Sequence, residues 1–78
     1  MQHELKLTQP YFNDVYSGKK PFELRKNDRD FKVGDTLLLH EWDSDNGYSG
    51  KIILRTITYV LNGYVGIEDG YCILGLDN

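Results

Sequence analysis

From the amino terminus the chain alternates: along His3-Glu4-Leu5-Lys6-Leu7 polar and apolar side chains exchange at every step, the period of a half-buried strand with Leu5 and Leu7 turned inward. Thr8 then offers a helix N-cap, Pro10 suits a first helical turn, and Tyr11, Phe12, Val15 and Tyr16 fall on one helical face. This predicts a short helix over about residues 9 to 17, closed by Gly18 as a left-handed cap and plugging one end of a sheet. Alternation returns at Phe22-Glu23-Leu24-Arg25, which predicts a strand with Phe22 and Leu24 directed to the core and Glu23 and Arg25 sharing the other face. Pro21 fits only the start of such a strand, where a missing N–H does least harm.

Asn27-Asp28-Arg29-Asp30 is turn chemistry, and Phe31-Lys32-Val33-Gly34-Asp35 reads as a loop dropping two apolar anchors, Phe31 and Val33, before a tight turn at Gly34-Asp35 whose role is conformational. Thr36 to Trp42 is nearly continuous in apolar residues, which predicts a strand covered on both faces along its first half. Asp43 to Gly50 is a polar hairpin loop turning at Asn46-Gly47. Lys51 to Leu61, rich in Ile, Thr, Val and Tyr, is the longest strand signal; a glycine-containing loop over Asn62 to Gly70 then precedes a closing strand, Tyr71 to Leu76.

The pattern adds up to a mainly β (α+β) fold: about five strands in a small curled sheet or barrel, with one short helix between the first two strands. Neither a repeat nor an interdomain linker breaks residues 1 to 78, so a single domain is expected. The long crossover helices of a doubly wound nucleotide-binding fold are missing from the pattern.

Composition adds the compartment and limits the chemistry. Cys72 is the single cysteine, set between Tyr71 and Ile73-Leu74, so it reads as a buried strand thiol in a chain at home in a reducing cytoplasm. His3 and His40 lack ligand spacing, so neither a metal nor another cofactor is expected. The polar residues 1 to 4 resemble neither a leader nor an anchor, and no apolar run approaches the ~18 residues that cross a bilayer, so a soluble, cytoplasmic protein is expected.

Net charge is -3, which opposes a generic polyanion binder, but the charges are unevenly spread. Residues 19 to 32 carry six cations and three acids, whereas the remaining residues carry three cations and nine acids. Such asymmetry aims an anionic ligand at one face while the remainder repels it.

Within that basic island, an arginine at position 25 suits bidentate capture of a phosphate or base edge, Lys20 a point charge or a desolvated base, and Glu23 a group that orients them. The same residues also suit an ordinary solvated strand face with ion pairs worth about 0 to 1 kcal/mol each. Trp42, Tyr48 and Tyr64 lie in or beside loops, where a ring serves either as rim packing or as a platform for a base at ~1 to 3 kcal/mol. Ser17, Ser44 and Ser49 have no readable histidine and acid partners, and Gly63-Tyr64-Val65-Gly66 lacks the spacing and following helix of a phosphate loop.

Gly18-Lys19-Lys20-Pro21-Phe22-Glu23-Leu24-Arg25 matches a G-x-K-x-x-E-x-R signature, and in this the chain resembles ASCH domains of the PUA-like superfamily of small β-barrels. The run from His3 through Phe31 is similar to a short bacterial and phage ASCH-like family of unknown function. The resemblance implies a cleft beside the barrel, lined by Lys20, Glu23 and Arg25, that binds RNA or a nucleotide-like ligand. Some small ASCH proteins hydrolyse acylated cytidine with the signature lysine, a threonine and a later glutamate. Here Lys20 is kept but Glu23 stands at the threonine's position.

Three classes of function follow as expectations. The first is a module binding unpaired RNA or a modified nucleotide through Lys20, Glu23 and Arg25. The second is a small-nucleoside amidohydrolase with Lys20 as base or nucleophile and Glu23 as its partner; there Glu23 would oppose the loss of the Lys20 proton by stabilising the ammonium. The third is a protein-interaction module whose basic turn meets an acidic partner.

Overall fold

In the computed structural model, which describes residues 1–77, the elements run β1 (Gln2–Leu7), α1 (Tyr11–Tyr16), β2 (Phe22–Lys26), β3 (Thr36–Asp43), β4 (Gly47–Asn62) and β5 (Tyr71–Leu76). The strands form one mixed sheet in the order β1-β3-β4-β5-β2, with β1 parallel to β3 and the other neighbours antiparallel. The 16-residue β4 belongs to both halves of the sheet: its earlier residues pair with β3 as far as Thr56, and its later ones with β5 from Ile57 onward. Register irregularities at His40/Trp42 and at Ile57/Tyr59 are the local breaks that let such a sheet bend.

The predicted periods form the elements, with some shifts. In β1, His3, Leu5 and Leu7 are the buried alternate positions. The helix is shorter than the pattern suggests. Pro10 occupies its N-cap position, and the side chain of Gln9, rather than that of Thr8, accepts from a first-turn amide, Asn13 N–H, at 3.1 Å. Phe12 and Val15 are buried while Tyr11 and Tyr16 stay exposed, and Gly18, at φ 85°, closes the helix in the left-handed region. β4 begins at Gly47, four residues before the predicted Lys51, because Trp42 and Asp43 extend the ladder to Tyr48 and Gly47. The Asp43 carboxylate accepts from the amides of Asp45 and Asn46, which makes a tight turn between the two strands.

Leu5, Leu7, Phe12, Val15, Phe31, Leu37, Leu39, Ile53, Ile57, Cys72, Leu74 and Leu76 form the core. Each fully buried aliphatic side chain contributes about 1.5 to 3 kcal/mol of apolar burial. Phe31 is an anchor as expected, but Val33 stands 63% exposed and is not. Leu37 and Leu39 are buried, whereas Leu38 between them is only partly covered on the outer face. Cys72 is buried, and burial, with a smaller contribution from Asp28, raises its thiol pKa.

Asp35 does more than shape a turn. Its carboxylate accepts from the Nε2 of buried His3 at 2.9 Å, from the Met1 amine at 3.1 Å and from the Lys32 amide at 3.2 Å. These bonds, the one from His3 foremost, lower its pKa from 3.8 to about 2. His3 packs edge-on against Phe31 at 4.7 Å, so the Asp35–His3 contact ties the start of β3 to β1 and to the anchored loop.

Two further expectations are corrected. The sheet does not close into a barrel. Closure would need backbone bonds between its edge strands, β1 and β2. Arg25 Nη2 donates instead to the Lys6 carbonyl at 2.7 Å, and Arg29 Nη1 to the Glu4 carbonyl at 2.9 Å, so guanidinium groups take acceptors on the β1 edge. The faces of β2 are also reversed. Phe22 and Leu24 are 42% and 58% exposed, while Glu23 is 2% exposed and Arg25 half-buried. A carboxylate bracketed by cations takes the inner face because its charge is satisfied there, and the two apolar side chains are left outside.

Among the described residues no helix is long and apolar enough to cross a membrane.

Candidate ligand-binding site

Strand alternation aims Glu23 and Arg25 to one side, and they meet: Arg25 Nε donates to Glu23 Oε2 at 2.9 Å. Lys20 arrives from the turn after α1, where its amide bonds the Asp14 carbonyl at 3.0 Å, and its Nζ donates to the other Glu23 oxygen, Oε1. The ammonium also lies 5.5 Å from the centre of the Tyr11 ring and 5.3 Å from that of Phe22. Glu23 is thus a buried carboxylate held by two cations, one on each oxygen.

Arg25 is held twice, by Glu23 through Nε and by the Lys6 carbonyl through Nη2, and this leaves Nη1 unpaired among the described residues. Arg29, in the turn after β2, is held once, by the Glu4 carbonyl. Together they span the seam between the sheet's edge strands. Along it lies an open groove of about 600 Å³ lined by Glu4, Leu5, Lys6, Arg25, Arg29, His40 and Tyr48. A second hollow of about 440 Å³ shares Lys6 and Arg25 with the first and continues past Lys20 and Glu23 to Thr8, Tyr11, Phe22 and Leu24.

The far wall of the groove is aromatic. Lys6 Nζ sits 4.5 Å from the centre of the Trp42 ring and 5.8 Å from that of Tyr48. Tyr48 also meets His40 edge-on at 5.6 Å, and His40 Nε2 hydrogen-bonds the Glu4 carboxylate at 2.9 Å. The groove therefore presents the cations Lys6, Arg25 and Arg29, with a histidine, against Glu4 as the acid among its lining residues. An arrangement of forked donors beside a tyrosine ring can grip a phosphate or carboxylate and cover a planar group.

Of the residues singled out in the sequence, Lys20, Glu23 and Arg25 converge, Tyr48 lines the groove and Trp42 supports it through Lys6. Tyr64, 65% exposed in the loop between β4 and β5, lines neither hollow. Sequence reasoning missed Lys6, Arg29, His40 and Glu4. Lys6 and Glu4 share the outward period of β1, a detectable signal, but only the strand order sets them opposite β2. Among the described residues no group of three or more His, Cys, Asp or Glu side chains is placed to hold a metal ion.

A small, open mixed sheet with an arginine-bridged seam defines the class of domain, and sequence comparison supplies the family. Residues 2–76 match the family described as "Domain of unknown function (DUF3850)", and the chain belongs to it. The chain is also similar to the "Uncharacterized 12.9 kDa protein in GpA 3'region" of Escherichia phage P2, at 43% identity over 67 residues. That alignment covers 86% of this chain and 61% of the phage protein, so the chain spans under two thirds of its relative's length.

Proposed function

We propose that the domain binds unpaired RNA or a modified nucleotide in the seam groove, as a PUA-like module in which Arg25 of the ASCH-type signature lines the groove. The observation that carries this reading is the gathering of Lys6, Arg25 and Arg29 with Tyr48 and His40 around one open groove, on a chain whose net charge is -3. Tethered guanidiniums supply phosphate donors at reduced entropic cost, and the aromatic wall supplies a face for a base. Glu23 orients Arg25 and is itself too buried to meet a ligand directly.

The test is fluorescence anisotropy with short labelled single-stranded RNAs over a range of salt. Binding is expected to weaken as salt rises, and Arg25→Ala and Arg29→Ala are each expected to lower the affinity and flatten that dependence. Salt-independent binding, or two variants indistinguishable from the parent, would refute the proposal.

A second reading, an amidohydrolase acting on an acylated nucleoside, draws on the contact between Lys20 and Glu23, which line the same hollow as Thr8. It ranks second because the carboxylate stabilises the ammonium that a base or nucleophile must lose. Turnover of acylated cytidine that disappears in Lys20→Ala would bring it forward; equal rates in the two proteins would dismiss it.

A further inference from the structure

The two arginines differ in sequence position by four, yet both are fastened to one strand, to carbonyls two residues apart: Arg29 to Glu4 and Arg25 to Lys6. Carbonyls at alternate residues of a strand point the same way and repeat every two residues, about 6 to 7 Å. The guanidiniums fastened to them inherit roughly that spacing. One nucleotide of a sugar–phosphate backbone contains as many backbone bonds as two amino-acid residues, so its extended phosphate repeat is of similar length, about 6 to 7 Å. We infer that the Arg25–Arg29 pair engages two consecutive phosphates of a single RNA strand running along the outer edge of β1.

This rests on the nucleic-acid reading above and narrows it from a nucleotide to an oligonucleotide of at least two linked phosphates. The donors suit the task. Nη1 of Arg25, and Nε and Nη2 of Arg29, have no partner among the described residues, and both side chains line the groove. Their tethers fix position without using every donor, which is what repeated capture of a periodic anion requires. Glu4 stands on the same path as the acid of the groove, its carboxylate hydrogen-bonded to His40 Nε2 at 2.9 Å.

The experiment places the variation in the ligand, so that folding of the protein is not in question. Anisotropy is measured with a short labelled RNA carrying ordinary linkages, and with versions in which one linkage, or two adjacent ones, are neutral methylphosphonates; a nucleoside monophosphate is the competitor. Neutralising either of the two adjacent linkages is expected to weaken binding about tenfold, and both together more. The monophosphate is expected to compete at least about tenfold more weakly than the RNA. In Arg29→Ala, which loses one exposed tether, neutralising the linkage that faced Arg29 is expected to have no further effect. If the RNA binds but neutral linkages change nothing, or the monophosphate competes equally, the two-phosphate register is wrong while the binding site stands. If no RNA binds at all, both fall.

Discussion

Arg25→Ala tests the central physical claim, that Glu23 is tolerated in the interior because two cations hold it. Glu23 is 2% exposed and accepts from both Lys20 and Arg25, and Arg25 also bridges to β1. Stripping a buried carboxylate of its whole partner set costs about 3 to 5 kcal/mol. Lys20 remains in the variant, so the loss should approach that of one charge-assisted hydrogen bond, about 1.5 to 3 kcal/mol. The Lys6 carbonyl freed on the sheet edge meets water and adds little. For a domain of this size a loss of about 2 kcal/mol lowers the melting temperature by roughly 8 to 16 °C. Urea unfolding followed by the fluorescence of Trp42, the one tryptophan, measures it directly. A companion cycle makes the assignment specific: in a Glu23→Gln background the carboxylate charge is absent, and Arg25→Ala should cost under about 1 kcal/mol. A loss below about 0.5 kcal/mol in the parent, the scale of an exposed ion pair, or the same cost in both backgrounds, would refute the reasoning.

Other outcomes follow from the same structure. Leu24→Ser should change stability by no more than about 0.5 kcal/mol, because its side chain is exposed, and Phe22→Ser, which loses the Lys20 contact, by about 0.5 to 1 kcal/mol, whereas Leu74→Ala should cost about 2 to 5 kcal/mol; denaturant midpoints compare them. Asp35, with a pKa lowered from 3.8 to about 2, contributes stability that is complete above its unfolded value and is lost as pH falls from about 3.8 through 2. Unfolding curves across that window should therefore show a smaller acid-dependent loss in Asp35→Asn than in the parent. Cys72, buried and with its thiol pKa raised, should resist thiol reagents at neutral pH until the chain unfolds, so its labelling rate should track denaturant concentration.

Much of the fold was legible along the chain. Alternation in residues 3 to 7 and the glycine closure at Gly18 depend on neighbours a few residues away and form as their patterns predict; the helical face predicted from Tyr11, Phe12, Val15 and Tyr16 buries only Phe12 and Val15, and the β-branched run forms a strand that starts four residues early. Local periodicity also aligned Glu23 with Arg25 and Phe22 with Leu24. It could not say which of the two faces would be buried. Hydrophobicity favours Phe22 and Leu24, but the balance is set by partners: Lys20 from the preceding turn and the Lys6 carbonyl from another strand make burial of Glu23 and Arg25 tolerable.

Short-range geometry was therefore enough to give the approximate elements, the alternation within them and the nearness of Lys20, Glu23 and Arg25 along the chain. Tertiary structure decided the rest. The strand order β1-β3-β4-β5-β2 leaves β1 and β2 as edges, and arginines rather than backbone bonds join them across the seam. Lys6, Glu4 and His40 enter the groove only through that arrangement, since β1 and β3 are separated from β2 in the hydrogen-bonded ladder and meet it only by the bending of the sheet. Spacing along a chain cannot encode such a meeting, because it depends on how all five strands coil together.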